Sequence, residues 1–197
     1  MTRRQIVLQM RGNEAAEVLM VPWIPQHDAD ARCFPASLQM VLGFFRDFYS
    51  NSVVRDGLPG LKYPEVIDLC GTSAENGTRL TQDLMARISD RVKVLNVSLV
   101  SGASFEMLRK QELKNLPTIL IYDGRYLLYD LPGPSHAGVY IGQAKNGDPI
   151  LNNPWMGSLV PFARPKFEVA WELKKRRAVV FQPNPQTELV KEGNSNA

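Results

Sequence analysis

The chain is poor in cysteine and histidine, and it has no long apolar run. Its 197 residues hold two cysteines and two histidines. Two cysteines in a chain this long do not make a disulfide framework. With the histidines far from them they do not make a zinc spacing either, so no metal and no cofactor is expected. No window approaches the roughly 20 apolar residues that cross a bilayer, so no membrane span is expected. The start of the chain is basic, but the apolar stretch Ile6, Val7 and Leu8 is cut off by Gln9 and Arg11. That is too short for the apolar region of a signal peptide, and a cytoplasmic location is the default expectation. Neither sign of charge dominates, with 23 basic against 20 acidic residues and a net charge of +3. The one dense basic run, Lys174 with Lys175, Arg176 and Arg177, is narrower than a nucleic-acid stripe, so no nucleic-acid partner is expected. It reads as a solvated turn before a strand, or as an anchoring patch for an acidic partner that salt would weaken.

What is present is enough for one core. A hydrophobic content of 44% over this length favours a single packed domain. That domain is expected over 21–182, after an N-terminal extension at 1–20 and before a polar, disordered tail at 183–197. One strand is expected around 6–10. Over 33–49 the apolar positions Leu38, Val41, Leu42, Phe45 and Phe48 recur at three- and four-residue steps, the spacing of one buried helical face. Pro35 is tolerated there because the first turn has no N–H bond to lose. Further helices are expected at 64–69, at 80–88 with Thr78 or Thr81 as cap, and at 104–116, opened by Ser104 and closed before Pro117. The alternation over 91–100 reads as a strand. Short apolar or β-branched runs at 118–122, 137–142, 149–151 and 178–182 are separated by turn signals such as Asp123-Gly124 and Pro132-Gly-Pro134. A helical first half followed by an antiparallel sheet is an α+β arrangement with a cleft between the two parts.

The residues that carry chemistry fall at the edges of these elements. Cys33 opens the first helix, where the positive end of the macrodipole favours a thiolate, the nucleophilic form. Of the two thiols Cys33 is expected to be the exposed, reactive one, and Cys70, at the end of the run Val66-Ile-Asp-Leu-Cys70, the buried and inert one. His136 opens the apolar run 137–142 directly after a Pro-Gly-Pro turn, a position from which its ring can face a cleft. Asn153 follows by 17 positions at the exit of the next expected strand, where it can accept a hydrogen bond from the imidazole and hold its orientation. Gln26 lies seven residues before Cys33 and carries an amide that can donate to an oxyanion beside the Cys33 backbone N–H. His27 stands beside it on the approach loop.

Taken together, Val-Pro-Trp-Ile-Pro-Gln at 21–26, Cys-Phe-Pro-Ala-Ser-Leu-Gln at 33–39, His-Ala-Gly-Val-Tyr-Ile-Gly at 136–142, Asn153-Pro154, and Phe167 with Trp171 form a pattern over 21–181. This pattern resembles the bacteriocin-processing (double-glycine leader) peptidase-like branch of the papain-like cysteine peptidases. The resemblance implies a papain-like α+β fold and a peptide or protein substrate. It assigns the oxyanion hole to Gln26, nucleophilic attack to Cys33, acid/base work to His136, and orientation of the imidazole to Asn153. The chain departs from the family in having Phe34 where glycine commonly follows the cysteine, and Asn153 where aspartate is frequent. Leader-processing members are commonly fused to a membrane exporter, and no membrane span is expected in these 197 residues. Cysteine-dependent hydrolysis of an amide bond is the leading expectation. The same residues suit acyl transfer or deamidation, and a catalytically silent peptide-binding domain of this fold is the remaining alternative.

Overall fold

A computed structural model describes residues 4–7, 16–26, 30–48, 52–73 and 75–184. Its central element is helix α1 (Cys33–Phe48), entered through a single 3-10 turn at Asp30–Arg32. The apolar spacing predicted one buried face, and the helix is buried on more than that. Phe34, Ala36, Leu38, Met40, Val41, Leu42, Phe44 and Phe45 are all enclosed, as expected of a helix through the middle of a core rather than along its surface. Around it lie α2 (Ser52–Gly57), α3 (Tyr63–Cys70) and α4 (Gln82–Val92). The Thr81 side chain caps α4 by accepting the Leu84 N–H. Because α4 runs on to Val92, the strand expected from 91 begins only at Leu95, as β3 (Leu95–Val100).

Six strands form one antiparallel sheet in the order β3, β8, β4, β5, β6, β7. They are β3, β4 (Thr118–Asp123), β5 (Ser135–Gln143), β6 (Pro149–Asn153), β7 (Gly157–Pro161) and β8 (Arg177–Pro183). A separate hairpin, β1 (Arg4–Val7) with β2 (Ala16–Leu19), packs on β5, and Ala16, Val18 and Leu19 join the main core. Alternation along the strands divides the apolar side chains between two clusters. Ile119, Ile121, Ala137, Val139 and Ile141 pack with α1 to α4. Leu120, Tyr122, Tyr140 and Leu151 pack with α5 (Phe105–Leu113) and α7 (Arg164–Glu172), around Phe105, Phe167 and Trp171.

Asp123-Gly124 is not a simple turn: the Asp123 carboxylate caps a further helix, α6 (Gly124–Tyr129), by accepting the Tyr126 N–H at 3.0 Å. Helix α2 occupies the stretch 50–60, which in sequence reads as turn-rich, and α7, β2 and β7 lie in stretches to which the sequence assigns no element. The basic run at 174–177 is not uniformly solvated, since Lys174 turns inward to the buried Asp123. His27 and the tail beyond Asn184 lie outside the described residues, as do residues 8–10 of the first expected strand.

Candidate active site

Two segments far apart in sequence are stapled together at the end of the sheet. The Asn152 side chain donates to the Val21 carbonyl at 2.8 Å, the Trp23 indole N–H to the Asn153 carbonyl at 2.9 Å, and the Gln26 N–H to the Pro154 carbonyl at 3.0 Å. These bonds hold Gln26 beside the exit of β6. The N-terminus of α1 packs against β5, and the Cys33 sulfur accepts the backbone N–H of Ala137, next to His136 in the chain. Gln26, Cys33 and His136 therefore line one cleft, of about 620 Å³, together with Phe34, Trp155 and the α6 residues Leu128 and Tyr129.

His136 is the second residue of β5 and Asn153 the last of β6, and the His136 Nε2 lies 3.0 Å from the Asn153 Oδ1. The Asn153 atom facing the ring must be its oxygen, because the backbone N–H groups of Trp155 and Met156 donate to it as well, at 2.8 and 3.0 Å. An amide oxygen only accepts, so Nε2 carries the proton and Nδ1 of the neutral ring keeps its lone pair. The ring is packed on several sides. Tyr122 meets it edge-on with centroids 5.5 Å apart, Trp155 lies 6.3 Å away, and a Cβ on Gly124 would stand 3.0 Å from the His136 Cβ. Gly124 therefore serves this site by having no side chain.

Burial governs the charge state. It pushes the Cys33 thiol up, although the backbone N–H groups of Ala137, Phe34 and Cys33 itself pull it back. It pushes the His136 imidazole down, against the opposing bond to Asn153. Both shifts favour a neutral thiol and a neutral imidazole in the one cleft, with the backbone N–H groups at the head of α1 offsetting only part of the desolvation of Cys33. Cys70 is buried, and desolvation raises its thiol to about 12, the inert state expected of it. Phe34 does not protrude as an obstruction. It is 3% exposed, part of the main core, and contributes to the cleft floor.

The Gln26 amide oxygen is buried without a hydrogen-bond partner, at the edge of the same cleft. Sequence reading missed Tyr122, which looked like one more apolar strand residue, and Gly124, which looked like half of a turn. Among the described residues no cluster of His, Cys, Asp or Glu is arranged to hold a metal ion.

No family model matches the sequence, and no curated protein matches it. A solved structure does: a Bacillus anthracis protein assigned as a C39-like peptidase. The match covers 84% of this chain and 96% of that one, with a TM-score of 0.58 and 19% identity. At that identity the likeness speaks for the fold alone, and the chain shares the fold of that C39-like peptidase, helices packed on a six-stranded antiparallel sheet.

Proposed function

We propose that this protein is a cysteine peptidase or related amide hydrolase acting through Cys33, His136, Asn153 and Gln26. The observation that carries the reading is the His136 ring. It stands on the wall of the cleft that Cys33 enters, with Nε2 tied to an asparagine oxygen that two backbone N–H groups hold in place. That leaves Nδ1 as the base. As the Cys33 sulfur bonds to the substrate carbonyl carbon, its proton passes to Nδ1, and the resulting imidazolium is steadied by Asn153. The oxyanion is held by the Cys33 N–H and the Gln26 amide, whose NH2 turns toward it. His136 then protonates the leaving amine, the C–N bond breaks, and a thioester remains. Water, deprotonated by His136, attacks the thioester, releasing the carboxylic acid and restoring the thiol. The largely apolar lining of the cleft suits a peptide segment carrying apolar side chains.

The test is the rate of Cys33 alkylation against pH, resolved by peptide mass spectrometry with Cys70 as internal control. Because burial favours the neutral thiol and imidazole, labelling of Cys33 is expected to rise with pH, to exceed that of Cys70 throughout, and to fall about 100-fold at neutral pH in His136→Ala. A peptide library should yield new N-termini that disappear in Cys33→Ala. Labelling indifferent to His136 would overturn the reading in favour of a silent peptide-binding domain.

A further inference from the structure

We propose that Tyr122 is a positioning residue of this site, holding the Asn153 amide in the plane that aims its oxygen at His136. The inference rests on the catalytic reading above and deepens it. Tyr122 is fully buried on β4, directly opposite His136 in the β4–β5 register. Its ring packs against Phe162 and Phe167, a setting that a phenylalanine would fill equally well. What distinguishes tyrosine is the hydroxyl, which accepts the Asn153 Nδ2–H at 2.9 Å. A hydroxyl in an apolar cluster is costly unless it is used.

Asn153 is itself 1% exposed. Its oxygen already serves three donors, and an amide drawn so strongly at its oxygen offers a more polar N–H at the other end. Without Tyr122 that N–H has no acceptor, and the amide is free to twist out of line with Nε2. Burial keeps the phenol protonated far into the alkaline range, so Tyr122 acts as a neutral partner throughout. The neighbouring strand is cut to fit it: a Cβ on Gly138 would stand 2.9 Å from the Tyr122 hydroxyl oxygen. The line Gly138, Tyr122, Asn153, His136 thus runs from the sheet interior to the cleft.

Only two histidines are present, so the imidazole ¹⁵N spectrum resolves His136 once His136→Ala has identified its signals. The experiment compares wild type, Tyr122→Phe, Asn153→Ala and the double variant, reading the His136 tautomer by NMR and the pH profile of Cys33 alkylation by iodoacetamide. Tyr122→Phe is expected to shift the ring from a single Nε2–H tautomer toward a mixture. It should also slow alkylation at neutral pH about 3- to 10-fold, the worth of one hydrogen bond, and add nothing in the Asn153→Ala background. Gly138→Ala, which crowds the hydroxyl without deleting it, should move both readouts the same way and guards against poor folding of the phenylalanine variant. The proposal is overturned if Tyr122→Phe leaves both readouts at wild type while Asn153→Ala changes them, or if its effect is undiminished in the double variant. An Asn153→Ala protein indistinguishable from wild type would overturn the role of Asn153, and this inference with it.

Discussion

Asn153 is tied into the protein through three groups: its side-chain oxygen accepts from His136 and two backbone N–H groups, its NH2 donates to Tyr122, and its carbonyl accepts from Trp23. Asn153→Asp should therefore keep the fold, since the oxygen contacts persist and the Tyr122 hydroxyl can turn from acceptor to donor. Its carboxylate would favour the imidazolium, raising the His136 pKa in a ¹⁵N titration; an unchanged titration would count against the bond to His136. Thr118 offers a contrast on β4. It is 1% exposed, and its hydroxyl oxygen has no partner. Thr118→Val keeps the β-branch and removes the unsatisfied group, so it should stabilise the protein by about 1 kcal/mol in denaturant unfolding, with Cys33 labelling unchanged. At this scale the sequence made Cys33, His136, Asn153 and Gln26 stand out as candidates, because polar residues at the ends of apolar runs are conspicuous, and the fold brings them to one cleft. Tyr122 was hidden because, in a sequence, a tyrosine among isoleucines and leucines looks like packing.

Helix α6 shows how an element is built from outside its own sequence. Asp123 caps it through the Tyr126 N–H, and its second oxygen accepts the Gly133 N–H at 2.8 Å. Lys174, arriving from the turn before β8, ion-pairs with the same carboxylate at 3.1 Å and donates to the Gly133 carbonyl. Burial pushes the Asp123 carboxyl up, but the Gly133 and Tyr126 N–H groups and the Lys174 ammonium more than offset it and hold it below the usual range. Both ends of the segment between β4 and β5 are thus pinned, and Leu128 and Tyr129 form a fixed wall of the cleft. Lys174→Met should cost about 2 kcal/mol by removing a bond to a charged group, and limited proteolysis should then cut within 124–134 sooner than in wild type. Equal resistance would show that Lys174 does not hold the segment. None of this was legible locally, because six helical residues show too little periodicity to be told from a turn. The lysine that secures them comes from 174, far along the chain.

For the whole molecule, the buried titratable groups set a window of stability. His136 has its pKa depressed by burial, so the unfolded chain binds its proton more readily, and stability falls as pH drops below the unperturbed value of about 6.5. The thiols of Cys33 and Cys70 have theirs raised by burial, so stability falls as pH climbs past about 8.5, where the unfolded thiols ionise. The melting temperature should therefore be highest between these limits. His136→Ala should flatten the acid side and Cys70→Ala the alkaline side; slopes unchanged in both variants would refute the assignment. Among the described residues no helix is long and apolar enough to cross a membrane.

The sequence by itself determined the α+β class, the central helix with Cys33 at its head, and the strands that carry His136 and Asn153, because periodicity and turn chemistry act over a few neighbours. Only the tertiary structure decided the strand order, the stapling of 21–26 onto 152–154, and the α6 wall. It also decided how far Cys33 and His136 are desolvated. These depend on burial and on hydrogen bonds between residues far apart in the chain, 41 positions for Lys174 and Gly133 and 131 for Val21 and Asn152. Desolvation is a property of the packed surroundings, and no local pattern records it.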